Sequence, residues 1–437
     1  MKSDPISSIV ANNLCTGCGA CAGVYPTAIK MVEDPINGKR PVVEDTELGR
    51  LVSQQAAKIC AGASYDWSRL ETKDKLDDDW GPILGVWEGW AVWHDIRFRG
   101  SSGGAVTALS EFAISSGLVD GIAHTAADPS DPRVNTTVVS QNRNELMRGA
   151  GSRYAQASPA EALGALFSKP QKLGFVGKPC DIASIYKAKE ELDGRDRIPL
   201  TIAIFCAGAP NLYATTDLLS ELQVPTNAKL VNLSYRGNGW PGKMRAVWQD
   251  KFGKQHQSKS ISYSQGWGGI LQSGRRWRCR VCADHTGAFA DISVGDPWHA
   301  PPTNENEAGR SLIIARTPAG VRLIENAIKA GVLIAERRSR GIIEDSQPNL
   351  KVALGAVWGR TYAMRVVGLP APKTHGQKLF RSWIQATAKR KFQSLAGTWK
   401  RILRDKLWKP VNISSDFNDS AEHVLQVERV TAQRAVS

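Results

Sequence analysis

Three cysteines stand at one tight spacing near the start of the chain, Cys15-x-x-Cys18-x-x-Cys21, with Tyr25-Pro26 just beyond. One loop at that spacing can wrap three corners of a cubane iron–sulfur cluster. The small residues Gly17, Gly19 and Ala20 keep the backbone close to the sulfides. Runs of this kind often carry a fourth Cys after three intervening residues, and it serves a second cluster. Tyr25 takes that place here, so the second site of the run is lost and the first needs a remote thiolate. Cys60, in Ile59-Cys60-Ala61-Gly62, is the candidate in this part of the chain. A structural zinc site is the alternative. Zinc favours paired CxxC knuckles, and three Cys within seven residues fit a cubane better.

The other four of the eight cysteines are dispersed: Cys180, Cys206 and Cys279-x-x-Cys282. Cys180 follows the strand-like run Leu173 to Val176, and Cys206 ends the run Ile202 to Phe205. Both fall where open α/β sheets place their ligands, at the carboxyl ends of strands. By spacing alone a second cluster, a zinc site and inert thiols all stay open.

Such thiols need a reducing compartment. Met1 to Leu14 has no apolar stretch behind a basic start, so it does not read as a secretory signal. A cytoplasmic protein is expected. No run approaches the ~20 apolar residues of a membrane span. The net charge of +14 is uneven: between Ala371 and Pro410 eleven Lys or Arg face one acid, Asp405.

At 437 residues, two or three domains are expected. Residues 1–70 read as a ferredoxin-like 4Fe-4S unit. The run Glu71 to Asp79 reads as a solvated linker. Residues 85–368 alternate short apolar strands with helices such as Ala105 to Ile114 and Pro159 to Phe167. That pattern predicts a mixed α/β (α+β) core with a largely parallel sheet. Pro370 to Lys373 reads as a hinge into a basic helical tail, 371–437, whose end from Ser414 is polar.

Three turns invite an anion or a ring. Gly100-Ser101-Ser102-Gly103-Gly104 leads into the helical Ala105 and offers free backbone N–H groups for phosphate, with an ordinary N-cap turn as the alternative. Gly149-Ala150-Gly151-Ser152-Arg153-Tyr154 adds an Arg for phosphate and a Tyr for stacking. Arg236 to Gly242 is a rigid turn that presents Trp240.

Taken with the cysteines, these stretches are a recognisable set. The chain resembles the coenzyme F420 hydrogenase/dehydrogenase beta-subunit family, which includes 7-hydroxymethyl chlorophyll a reductase. The matching stretches are Cys15 to Pro26, Ser101 to Gly104, Gly151 to Tyr154, Gly177 to Cys180, Phe205-Cys206, Gly239 to Gly242, Cys279 to Asp284, Ala290 to Asp296 and Ala315 to Thr317. They run in family order over residues 10–320. The resemblance implies FAD and two 4Fe-4S clusters, on Cys15, Cys18, Cys21 and Cys60 and on Cys180, Cys206, Cys279 and Cys282. It places FAD on Ser101, Ser102, Gly103, Gly104, Thr107, Gly151, Ser152, Arg153 and Tyr154. Asp284, His285 and Asp296 become candidates for proton supply or flavin positioning. Two departures stand out: Ala61 where the family commonly has Pro, and Trp298, which would narrow the substrate side of the flavin. The implied protein is an oxidoreductase that passes electrons from a ferredoxin-like donor through the clusters to FAD and a small organic substrate. The alternative is an electron-transfer subunit of a larger redox complex.

The tail lies outside the family pattern. Phe380, Ile384, Ala388, Phe392, Leu395, Trp399, Ile402 and Leu407 recur near helical spacing, with Lys and Arg on the remaining surface. A helix packed on the core, a helix on an anionic membrane surface, and a dock for an acidic partner are the three expectations. Nucleic acid is not expected, because no other basic patch or nucleic-acid fold signature accompanies the helix.

Overall fold

A computed structural model of the chain describes residues 4–34, 37–164, 170–192, 195–304 and 307–413. Its centre is an eight-stranded sheet: β1 (Gly85–Ala91), β2 (Gly121–Ala127), β3 (Asn135–Ser140), β4 (Leu173–Gly177), β5 (Leu200–Ile204), β6 (Ile292–Gly295), β7 (Ser311–Ala315) and β8 (Leu333–Arg337). The spatial order is β8-β1-β7-β6-β5-β4-β2-β3. The near-continuous apolar runs become central strands because both faces are covered. Leu109, Ile122, Ile202, Ile292, Ile313 and Ile324 share one core cluster, and Phe175, Ile182, Ile185 and Ala203 share another.

Parallel pairing joins β2 to β4, β4 to β5 and β5 to β6. The other neighbouring pairs are antiparallel. The sheet is therefore mixed, not largely parallel as expected. The connections explain it, since a parallel return needs a long crossover. Helix Pro179–Glu191 carries the chain from β4 to β5. The described residues between β6 and β7 contain no helix, and β2 meets β3 through a short turn. A smaller antiparallel sheet, Lys229–Ser234, Lys243–Gln249 and Gln255–Gln257, is inserted after β5.

The N-terminal segment carries helices Pro5–Ala11, Ala20–Val24 and Glu47–Lys58 and a two-stranded pair, Ile29–Val32 with Arg40–Val43. It has a small core of its own around Ile6, Ala22, Ile29 and Ala56. Its Cys18, Tyr65 and Trp67 also enter the same buried cluster as Phe175 and Ile182.

Two expectations about the connections are corrected. The acidic run 71–79 is not a solvated linker. Asp78 pairs with Lys378 and Arg381, each at 2.8 Å, Asp79 with Lys351 at 2.5 Å, and Asp77 with Arg340. Its charges are answered by basic residues far along the chain. Pro370 to Lys373 is not a simple hinge either, because Lys373–His375 forms a parallel pair with Ser64–Asp66. Beyond it, helices Leu379–Ile384 and Ala388–Arg404 lie against the body. Trp399 Nε1 donates to Ala363 O at 3.1 Å, and Ile402 is buried with Leu14, Trp277 and Met364. This is the packed-helix expectation.

Of the helix expected at Pro159 to Phe167, a 3-10 turn covers Pro159–Ala162, and residues 165–169 lie outside the described residues. So does the stretch from Ser414. Among the described residues no helix is long and apolar enough to cross a membrane.

Candidate functional site

Two groups of thiols assemble from distant segments. Cys15, Cys18 and Cys21 follow the loop into helix Ala20–Val24, and Cys60 comes just after helix Glu47–Lys58. Gly17 and Gly19 turn the loop at φ +70° and +86°, a region open to glycine at little cost. Burial raises the Cys21 thiol well above its usual value, with repulsion from Cys18, Cys15 and Cys60 adding to it. Burial and then Cys18 and Cys15 push Cys60 up to about 12.

The second group stands on the carboxyl edge of the sheet. Cys180 lies in the first turn of helix Pro179–Glu191 after β4, and Cys206 just past β5. Since β4 and β5 are parallel neighbours, both thiols leave the same edge. Cys279 and Cys282 join from helix Trp277–Arg280 and the residues after it. Burial, then Cys279, pushes Cys206 up to about 12. Burial pushes Cys282 up to about 11 and Cys180 well above the usual value. Such thiols stay protonated unless a metal centre takes the proton's place.

The groups are joined through one helix. Ser184, four residues after Cys180, accepts from Cys18 Sγ at 3.4 Å and from Ala61 N at 3.1 Å. Four residues of helix rise about 6 Å, so one short element serves both groups. A second link is the buried Arg278. It donates to Ala61 O at 2.9 Å and Gly62 O at 3.0 Å, beside Cys60, and to Val281 O at 3.3 Å, beside Cys282. Its guanidinium lies 5.4 Å from the Tyr65 ring centroid.

The surroundings suit an anionic sulfur centre. Gly17 N donates to Cys15 Sγ at 3.3 Å and Ala209 N to Cys279 Sγ at 3.5 Å. Tyr65 Oη, Arg275 Nε and Trp277 Nε1 are buried donors with no hydrogen-bond partner among the described residues. The charges acting on the Tyr65 hydroxyl include Cys282 and Cys180, and those on Arg275 include Cys279 and Cys206. Buried N–H and O–H donors of this kind can stabilise negative charge on sulfur. Among the described residues, no group of three or more His, Cys, Asp or Glu is set to hold a metal ion.

A cavity of about 580 Å³ opens between the main sheet and the small sheet. The turn Gly149–Ser152 and Arg99, Arg148 and Arg245 line it, Arg99 Nη2 also donating to Met147 O at 3.1 Å, against one lining carboxylate, Asp128. A site this basic with a glycine turn suits a diphosphate. Gly151, Ser152 and Arg153 line it, and Ser152 Oγ donates to Ser101 Oγ at 2.9 Å. The other expected contacts are used differently. Gly103 N donates to Ser311 Oγ at 2.9 Å, and Ser102 Oγ meets the same hydroxyl at 2.9 Å. Gly104 is the left-handed N-cap of helix Ala105–Ser115, which carries Thr107. Arg153 bonds Asn135 Oδ1 and Leu233 O, both at 2.8 Å, and Pro132 O. Its fork is thus committed to the chain. Tyr154 stacks within the protein, 4.8 Å from Trp267 and 5.7 Å from Tyr235. Sequence reasoning missed Arg99, Arg148 and Arg245, which come from three separated segments without a shared motif.

The three proton-handling candidates are held firmly. Asp284 accepts from the backbone N–H groups of Thr286, Gly287 and Ala288 at 3.1, 2.7 and 2.9 Å, which shapes the turn after Cys282. His285 Nδ1 donates to Cys206 O at 2.9 Å, and burial lowers its pKa to about 4, so the ring is neutral. Asp296 receives a two-armed pair from Arg236 at 2.7 and 2.8 Å and Trp240 Nε1 at 2.8 Å. Trp240 is therefore buried as a structural anchor and not presented outward. Trp298 is half-buried and stacks on Tyr263 at 5.4 Å.

Comparison with known proteins gives a consistent picture. Two models of the family described as "Coenzyme F420 hydrogenase/dehydrogenase, beta subunit" match, the amino-terminal one over residues 86–163 and the carboxyl-terminal one over residues 170–340. A coenzyme F420 hydrogenase subunit beta of Methanothermobacter thermautotrophicus is 25% identical over 264 residues, 59% of this chain and 84% of that one. A coenzyme F420-dependent sulfite reductase of Methanocaldococcus jannaschii is 24% identical over 348 residues, 76% of this chain and 49% of that protein. A chain in the F420-reducing NiFe hydrogenase complex of Methanosarcina barkeri shares the fold, with TM-score 0.50 and 18% identity over 65% of this chain and 95% of that one. These relatives are redox enzymes or their subunits. The chain belongs to the coenzyme F420 hydrogenase/dehydrogenase beta-subunit family.

Proposed function

We propose that the chain is an iron–sulfur flavoprotein oxidoreductase, ferredoxin- or deazaflavin-linked. It takes electrons from a ferredoxin-like donor into 4Fe-4S centres on Cys15, Cys18, Cys21 and Cys60 and on Cys180, Cys206, Cys279 and Cys282. It delivers them through FAD to a small organic substrate. The observation that supports this reading is the mutual approach of cysteines from distant segments, with Cys18, Cys15 and Cys60 acting on Cys21, Cys279 and Cys282 acting on Cys206, and Cys18 tied to helix Pro179–Glu191 through Ser184. Free thiols in this number suit a reducing, cytoplasmic setting.

The Gly149–Ser152 turn with Arg99, Arg148 and Arg245 holds the FAD diphosphate. Bound flavin supplies the conversion between single-electron and hydride chemistry. Arg236 and Trp240 fix Asp296 at the end of β6, which suits it to orient a ligand. The neutral His285 holds the Cys206 carbonyl.

A second reading is supported by the relatives named as beta subunits: the chain hands electrons within a larger complex and has no substrate of its own. The test is anaerobic purification with assays of iron, sulfide and flavin, followed by reduction with ferredoxin. Two such centres carry about eight iron per chain, with one FAD. An iron content near four removes the second centre, and zinc without sulfide removes both. Flavin that is reduced but reoxidised only slowly across a panel of small acceptors favours the subunit reading.

A further inference from the structure

Helix Ala388–Arg404 brings like charges together where it crosses the loop of Cys279 and Cys282. Ile402 is buried against Trp277 and Val281. That seat places Arg401 beside Arg275, Arg280 and Arg360, and Arg404 at their outer edge. Arg360 Nη1 donates to Arg280 O at 2.6 Å, Arg275 Nη1 to Ala207 O at 2.9 Å, and Arg401 Nη1 to Gly397 O at 2.8 Å. These guanidinium groups are thus fixed by carbonyl oxygens. The acid beside them is Asp405, bonded to Arg404 at the exposed end at 2.6 and 2.9 Å.

Packing these like charges together costs the free chain stability, and the cost falls when carboxylates face them. Fixed guanidinium forks match carboxylates in paired geometry. Trp399, Leu403 and Trp408, close in sequence to Arg401 and Arg404, are exposed, and Arg with Trp is the composition of protein interface centres. The arginines converge from three segments beside Cys279 and Cys206, not along one helix face. A lipid-binding helix would carry its charges along a single face.

We propose that Arg275, Arg280, Arg360, Arg401 and Arg404 form the docking surface for a carboxylate-rich electron-transfer protein that serves the thiol group of Cys180, Cys206, Cys279 and Cys282. The proposal rests on the iron–sulfur reading of that group. One electron passes per encounter, the donor is oxidised by one electron and the centre reduced by one, with no bond made or broken.

The test uses full-length protein and reduced plant-type ferredoxin, an acidic probe. Parent protein is compared with Lys400→Glu/Arg404→Glu, both exposed positions, and with Arg401→Glu. Affinity for immobilised ferredoxin is measured at low and high salt, and the rate of reduction by ferredoxin is compared with that by dithionite. The expected result is at least tenfold weaker binding by the double variant at low salt, a flatter salt dependence, slower reduction by ferredoxin and unchanged reduction by dithionite. Equal ferredoxin affinity in parent and double variant overturns the proposal. So does loss of binding to vesicles with 30% phosphatidylserine while ferredoxin binding persists, which assigns the surface to a membrane. Iron and sulfide are assayed in the same samples. Charge-sensitive ferredoxin binding with only four iron per chain supports the surface and refutes the second centre, so the two failures are distinct.

Discussion

Ser184→Ala isolates the link between the two thiol groups. The Ser184 hydroxyl is fully buried and accepts from Ala61 N at 3.1 Å and from Cys18 Sγ at 3.4 Å. Ala61 is itself fully buried, so alanine leaves its amide without an acceptor. A buried donor left unpaired costs about 1–3 kcal/mol. The missing oxygen is too small to leave a large cavity, so this term dominates. The hydroxyl also suits a thiolate better than a thiol, since it can then donate to Cys18 while accepting from Ala61. The assay is hydrogen exchange of a peptide covering Ala61, which reads local opening without requiring reversible unfolding. At about 1.4 kcal/mol per tenfold, exchange there should quicken by roughly five- to a hundredfold, while the sheet strands stay protected. Unchanged protection at Ala61 refutes the link. Uniform loss of protection refutes its local character.

Tyr65→Phe should stabilise iron-free protein by about 1–2 kcal/mol, because a buried hydroxyl without a partner among the described residues is removed; in iron-loaded protein the gain should vanish, and a gain of equal size in both forms in chemical denaturation would place the hydroxyl away from the centre. Gly103→Val should cost about 3 kcal/mol or more, because a Cβ there meets Gly89 O at 2.6 Å and Ser311 N at 2.8 Å in two strands. A melting temperature within a degree of the parent's would contradict that packing. Arg245→Glu should weaken FAD binding at least tenfold in equilibrium dialysis, and unchanged occupancy would move the diphosphate out of the basic cavity. His124 is buried, and burial lowers its pKa below the usual 6.5. The unfolded chain therefore binds the proton more readily, and stability falls as pH drops below about 6.5. His124→Gln should flatten that fall in melting scans from pH 8 to pH 5, and an unchanged slope would assign it to other groups.

The places of the cysteines in the fold were legible for different reasons. Cys15, Cys18 and Cys21 declare themselves by local spacing. Cys180 and Cys206 could be placed because apolar runs marked the strands that end at them. The mixed sheet was not legible, since alternation of strands and helices does not tell which connection lacks a crossover. The basic cavity was hidden because Arg99, Arg148 and Arg245 are ordinary surface-type residues until folding brings them together. The charge run at 71–79 looked solvated because its partners, from Arg340 to Arg381, lie more than two hundred residues away.

The tail shows why an apolar stripe can point the wrong way. The periodicity runs through Phe392 and Trp399, yet Phe392 is 71% exposed, and the buried positions are Ser394, Thr398 and Ile402. Their spacing is helical, but two of the three are small and polar. A Cβ on Gly359 would lie 2.2 Å from Ser394 Oγ, so the two helix backbones approach as only small residues permit. Trp383 Nε1 donates to Ser394 Oγ at 2.9 Å and Thr398 Oγ1 to Ser394 O at 2.7 Å, which satisfies the polar atoms in that contact. Hydropathy counts apolar area and is blind to close approach. The large apolar side chains are therefore left outward beside the basic ones. A helix seated by small residues spends little of its apolar surface on the fold and leaves the rest exposed.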